Sequence, residues 1–203
     1  INNFNNPLIK NIYLLNDKTY NLDFITNNNK IKQFEIVKEN EKLLFKDAIE
    51  FINSYCYKDN VILSNTDIYF DDSLNLLKDE NLNNKVYCLL RYNINPDGSK
   101  DIFRHFGEPR SDSQDCWIFN SPLRINTNLL DFSFGTLGCD NIFASILHDH
   151  EYKLYNPSYD VIANHLHNIE ERNYSENTRI HGNYCLIKPH FLKEESNIRF
   201  MEY

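Results

Sequence analysis

The run Ser64-Asn65-Thr66-Asp67-Ile68-Tyr69-Phe70-Asp71-Asp72 sets acids directly behind the apolar triplet Val61-Ile62-Leu63. A carboxylate at the carboxyl end of a strand, with Asn65 two residues earlier on the same face, can hold a hard divalent ion that bridges phosphates. Asp67 is that carboxylate, because helix capping alone does not account for its place at a strand end. Asp71 and Asp72 read as caps of a short following helix. The tract Asn164-His165-Leu166-His167 puts two imidazoles at i and i+2 on an extended segment, facing one side as transition-metal ligands do. Taken singly, each histidine reads as an ordinary core or surface residue. His148 and His150 share that spacing but end a helix, where cations suit the dipole, and read as structural.

Two further segments crowd polar residues beside apolar ones. Ser111 to Pro122 (SDSQDCWIFNSP) runs from acids and amides into an apolar strand. Gly135 to Asn141 (GTLGCDN) is a glycine-rich turn opening a helix whose first turn carries Asp140. The turn lacks the Lys-Ser/Thr pair of a phosphate-binding loop and the spacing of a dinucleotide fingerprint. Asp140 has two readings: an acid that stabilises the helix dipole, or a base that takes a proton from a bound hydroxyl. Cys139 is a conceivable nucleophile without a recognisable partner.

The elements that must position these groups follow from periodicity. Ile9 to Leu15 and Ile31 to Val37 read as strands separated by a turn at Thr26-Asn27-Asn28-Asn29. Apolar residues at helical spacing make Glu41 to Tyr55 an amphipathic helix, and Asp140 to Leu147 another. Val61-Ile62-Leu63, Val86 to Arg91 and Cys116 to Phe119 are continuous apolar runs of the kind found in buried strands. Asp71 caps a short helix through Leu77, Asn93 to Ser113 and Tyr174 to Gly182 read as loops, and Tyr152 to Tyr155 and Tyr184 to Ile187 as short strands. The alternation predicts a single α/β domain over residues 1–203, whole or part of a larger polypeptide, with a mostly parallel central sheet and helices on both faces.

Composition narrows the partners. With 203 residues, 41% of them hydrophobic and including 14 Phe and 13 Tyr, the chain can bury a real core. Lys+Arg 21 against Asp+Glu 29 gives a net charge of −8, which excludes a general electrostatic footprint for nucleic acid or an anionic membrane. No apolar run approaches the ~18 residues of a membrane span. The five cysteines are scattered without CxxC spacing, so they read as reduced thiols in a cytoplasmic protein, not as a zinc site.

The runs VILSNTDIYF, KVYCLLRY, SQDCWIF, GTLGCDNIFASIL and YNPSYDVIANHLHNIEERNY together resemble glycosyltransferase domains of the GT-A type found in bacteria and large DNA viruses. SQDCWIF and GCDN carry most of that specificity, and the likeness covers roughly residues 8–190. The resemblance implies a GT-A-like, Rossmann-like fold and a nucleotide-sugar donor held through its diphosphate by Mn²⁺ or Mg²⁺. Asn65-Thr66-Asp67 takes the place of the usual DxD, with one of its two acids. Asp140 matches the acid that serves as catalytic base or touches the acceptor, and His165 or His167 the histidine that completes the metal site with Asp67. Asp115 takes a place orienting the sugar. The expected reaction moves a sugar to a hydroxyl of a glycan or protein acceptor, with the metal and Arg91 neutralising the leaving diphosphate. Tyr69 and Trp117 either stack on base or sugar or serve as core aromatics. Two other functions fit the same residues: a catalytically silent sugar- or protein-binding module, and a metal-dependent phosphohydrolase or nucleotidyltransferase using Asp67 and the histidines.

Overall fold

A computed structural model describes residues 1–25, 28–166 and 176–203. The chain opens with a single turn, α1 (Asn2–Asn5), then β1 (Ile12–Asn16), β2 (Ile31–Glu35) and the helix α2 (Phe45–Tyr55). Next come β3 (Asn60–Ser64), β4 (Ile68–Phe70), a 3-10 helix at Asp72–Leu77 and the near-continuous pair β5 (Lys85–Leu89) and β6 (Arg91–Ile94). Small strands follow: β7 (Lys100–Ile102), β8 (Arg104–His105) and β9 (Glu108–Pro109). The second half holds β10 (Cys116–Asn120), α3 (Cys139–Asp149), β11 (Lys153–Tyr155), β12 (Ala163–His165), β13 (Asn183–Lys188) and β14 (Asn197–Glu202).

These strands do not form the expected mostly parallel central sheet. They divide into several small sheets, of which the two largest have four strands each, in the orders β11-β5-β10-β3 and β4-β12-β6-β7. Both are mixed. β10 runs antiparallel to β3 and to β5, and only β11 lies parallel to β5. In the second sheet β12 is parallel to β6 and antiparallel to β4. The reason lies in the connection. A parallel neighbour needs a crossover that carries the chain back to the end where its partner began. Between β5 and β10 the chain instead makes the β6–β7 and β8–β9 hairpins and re-enters the sheet where it left, so β10 must run back down. The segment expected as a loop from Asn93 thus carries strands.

The expected helices on both faces are corrected too. Side chains alternate across a strand. Val86, Cys88, Trp117, Phe119, Leu63 and Leu154 share one face of the first sheet, in one cluster with Phe45, Ile49 and Ile52 of α2 and Phe143, Ala144 and Leu147 of α3. Tyr87, Leu89, Cys116 and Ile118 share the opposite face, packed with Ile68, Phe70, Leu74, Leu77 and Ala163. Both long helices therefore cover one face, and the second sheet with the 3-10 helix covers the other. Burial on both sides is why VYCLL and CWIF are apolar without a break. Helix α2 starts at Phe45, not Glu41, because Leu43 and Phe45 are held by main-chain bonds to Phe134 and Phe132 (3.0 and 2.9 Å).

Candidate functional site

Three strand ends of the first sheet meet at one residue. The Asp115 N–H donates to the Leu89 carbonyl (2.9 Å), and the Asp115 carbonyl accepts from the Asn65 N–H (3.3 Å). Its main chain thereby ties the outgoing ends of β3 and β5 to the incoming end of β10. The strand pair β5–β6 bends at Leu90, whose N–H donates to Ser158 Oγ at 2.9 Å. That bend carries Arg91 over the sheet end, where Nη1 meets Asp115 Oδ1 at 2.8 Å and Nε meets Asn93 Oδ1 at 3.1 Å. The pair is nearly dry, with side-chain exposures of 15% and 5%. The Arg91 guanidinium also lies 3.9 Å from the centre of the Phe103 ring, whose far neighbour is the Arg110 guanidinium at 5.2 Å. Arg110 is itself held in a bidentate pair with Asp112 (2.9 and 2.7 Å).

The amino end of α3 faces this junction. Gly138 caps it with φ +85°, and a Cβ there would overlap the Tyr184 hydroxyl, so only glycine permits the approach. Asp140 Oδ2 accepts from the Gln114 N–H (2.9 Å) and Oδ1 from the Asn141 N–H (3.1 Å). Burial, with the Asp115 charge adding to it, pushes the Asp140 carboxyl up to about 7 against these two amide bonds. Such a group exchanges a proton near neutrality, as a general base must. Cys139 beside it does not qualify as a nucleophile, since burial and the Asp140 charge push its thiol up to about 12.

These groups line one cavity of about 460 Å³. Four side-chain atoms in its wall are buried with no hydrogen-bond partner: Gln114 Oε1, Asp115 Oδ2, Asn141 Oδ1 and Trp117 Nε1. Buried polar atoms are nearly always paired, so a cluster of orphans in one cavity marks a place where a ligand's hydroxyls would satisfy them. The Trp117 ring is no stacking platform. It is 1% exposed and packed edge-on against Phe45 and Phe143, leaving the indole N–H as its contribution.

Asp67 sits in the turn between β3 and β4, and its Oδ2 lies 3.0 Å from His165 Nε2 on the neighbouring strand β12. Burial alone would raise the Asp67 carboxyl, but the His165 hydrogen bond and the charges of His165 and Arg91 hold it below the usual carboxylate range. Asp67 Oδ1 is buried and has no partner. The orphaned Asp67 oxygen fits one position of a Mn²⁺ or Mg²⁺ site, and His165 Nε2 would fill a second by giving up its hydrogen bond to the other oxygen. Among the described residues no three His, Cys, Asp or Glu side chains gather as a metal-binding group. His167 lies outside the described residues.

Of the residues singled out in the sequence, the fold brings Asn65, Arg91, Asp115, Trp117 and Asp140 to the cavity wall, with Asp67 and His165 paired beside it. Tyr69 is in β4 and does not line it. His150 closes the end of α3, with Nδ1 2.8 Å from the Ile146 carbonyl. Asp71 caps the 3-10 helix by accepting from the Ser73 N–H (3.1 Å). Sequence reading passed over Arg110, Asn141, Arg179, Tyr184 and Tyr203, which also line the cavity. Asn141 directly follows Asp140 and had a readable signal: a polar residue on the buried side of an amphipathic helix. No helix is long and apolar enough to cross a membrane among the described residues. In comparisons with known proteins, the chain matches no family model, no curated protein and no solved structure.

Proposed function

We propose that this protein transfers a sugar from a nucleotide-sugar donor to an acceptor hydroxyl. The observation that carries the reading is the set of orphaned buried atoms, three acceptors and one donor, in a cavity that also holds Asp140 and Arg91. A sugar offers hydroxyls that both donate and accept, and so matches that set better than a flat apolar ligand would. Asp140 takes the proton of the acceptor hydroxyl as its oxygen bonds to the anomeric carbon. The bond from that carbon to the donor phosphate breaks, and its electrons leave with the diphosphate. Arg91, fixed by Asp115 and Phe103, presents positive charge that needs no reorganisation when the leaving group becomes more anionic. Asp115 holds Arg91 with one oxygen and keeps the other for a sugar hydroxyl.

Asp67 and His165 are the residues that would hold Mn²⁺ or Mg²⁺, and the ion supplies further charge neutralisation for the diphosphate. The test is a thermal-shift screen with UDP-, GDP- and dTDP-sugars, each with and without Mn²⁺, followed by product analysis on simple glycan acceptors. Stabilisation by one nucleotide-sugar and formation of a glycosylated product are expected. Phosphate release from a simple ester, without sugar transfer, would overturn the reading in favour of a hydrolase. Absence of any nucleotide effect would leave a binding module.

A further inference from the structure

A second cavity of about 460 Å³ shares only Asn65 with the first and is lined by every residue of β1 and every residue of β3. Among the described residues each of these strands is the last in its sheet, β1 paired only with β2 and β3 only with β10. Their open edges are therefore both exposed to the same space.

The direction of the main-chain groups follows from the ladders. In an antiparallel pair, alternate residues bond across to the partner. Asn65 and Asp59 bond to Asp115 and Ser121 beside β10 (3.3 and 2.9 Å), so the odd-numbered residues of β3 face β10. The N–H and C=O groups of Asn60, Ile62 and Ser64 turn to the open side. In the parallel pair, the Asn16 carbonyl accepts from the Ile36 N–H at 2.9 Å, so the even-numbered residues of β1 face β2. Those of Tyr13 and Leu15 turn away from it.

The side chains show that the two strands share a face. Tyr13 and Leu15 of β1, like Val61 and Leu63 of β3, pack into the cluster under α2. Phe51 and Ile52 line the cavity from that helix and Cys56 from just past its end, while Ile62, Ile68 and Phe70 line it from the second cluster. We infer that this cavity receives an extended apolar peptide of about the five-residue length of β1 and β3, supplied by a second polypeptide and added as a strand between them. The main-chain groups on both walls give such a strand two ladders, and the apolar floor and roof accept side chains on both of its faces. A second copy of this chain does not fit, because its strands apolar on both faces, β5 and β10, are already buried inside a sheet. Asn65 lines both cavities, so the added strand would brace the turn that presents Asp67.

The experiment uses a fluorescein-labelled peptide KKVIVIVKK, followed by anisotropy and by amide exchange of the whole protein. Saturable binding is expected, with exchange at Tyr13, Leu15, Ile62 and Ser64 slowed about tenfold at a peptide concentration about ten times Kd. The same peptide carrying N-methyl groups on alternate residues should not bind. Binding of the N-methylated peptide at equal strength would overturn the proposal, as would absence of binding. So would Ile62 and Ser64 amides as protected as that of Leu63 before peptide is added. Protection that rises with protein concentration alone would name a second copy as occupant and refute the one proposed.

Discussion

Replacing Asp140 with Asn separates the charge of this residue from its shape, and the effect can be worked from the structure. The carboxyl is raised from 3.8 to about 7, chiefly by burial. Between those values the folded protein keeps a proton that the unfolded chain has lost. Stability contributed by this group is therefore full below about pH 4 and falls as pH rises, at ~1.4 kcal/mol per pH unit and ~4 kcal/mol in all. Asn never ionises, so its curve lacks that descent. At pH 4 the folded wild-type carboxyl is neutral and, like the amide, offers one full acceptor to the Gln114 and Asn141 N–H groups, and the descent has barely begun, so the two proteins should agree within ~1 kcal/mol. At pH 8 the variant should be the more stable by ~4 kcal/mol, because the value of about 7 already includes the amide bonds that the carboxylate accepts. Urea unfolding of both proteins from pH 4 to 8 measures the difference directly, and all other titrating groups cancel. In sugar transfer the wild-type rate should rise with pH to a plateau above about 7, and the variant should lose ~10²–10⁴ in turnover with donor affinity kept. Parallel stability curves would refute the raised carboxyl, and near-normal turnover would refute its role as base.

Other perturbations give separable outcomes. Arg91→Ala leaves the buried Asp115 carboxylate without its partner and should cost ~3–5 kcal/mol, read by urea unfolding; the double variant with Asp115→Asn should recover part of it. Gly138→Ala strains a residue at φ +85° and drives a Cβ into Tyr184, so it should lower Tm clearly, whereas the same change at Gly98, where nothing lies within 4 Å, should cost less. Asp67→Ala should abolish Mn²⁺-dependent nucleotide-sugar binding in calorimetry while costing little stability; unchanged Mn²⁺-dependent affinity would remove Asp67 from the metal site. Asp71 is held at about 2, against the cost of its burial, by Lys100, Ser73 and Asn164. Its contribution is present above about pH 4 and lost as pH falls toward 2, and with a third of the side chain exposed it should amount to ~1–2 kcal/mol, checked by comparing Asp71→Asn with wild type at pH 3 and pH 7.

Element existence was legible where both periodicity and burial wrote into the sequence. The cores of α2, α3, β3, β5 and β10 fall within the segments expected from their apolar runs. Strand direction was not legible. A continuous apolar run reports that both faces are covered, and here the cover comes from helices on one side and a second sheet on the other. The β6 to β9 strands are invisible because RYNI, KDI, RH and EP are polar and short; hairpin turns set the β6–β7 and β8–β9 pairs, and β6 takes β12 as a parallel neighbour from far along the chain. Periodicity starts α2 too early because Leu44 fits the helical pattern, whereas the 132–134 segment claims Leu43 and Leu44. Propensity cannot see a partner ninety residues away.

The site shows the same division between what a sequence states and what only packing makes. Asp67 and Asp140 announce themselves by position, one after an apolar strand and one at a helix start. Asp115 does not, yet it is the residue on which the site closes. Its amide and carbonyl bind Leu89 and Asn65, its carboxylate fixes Arg91, and its charge helps to raise Asp140. None of these partners lies within twenty residues of it, and each arrives on a different strand end or helix start. A carboxylate pair in which one member is neutralised by arginine and the other is left to rise is a way of setting two acids to two tasks in one cavity. Here the division follows from which acid the bend at Leu90 places against Arg91. Asp115 receives the cation and stays an anchor. Asp140 receives only amide hydrogens and remains free to take a proton.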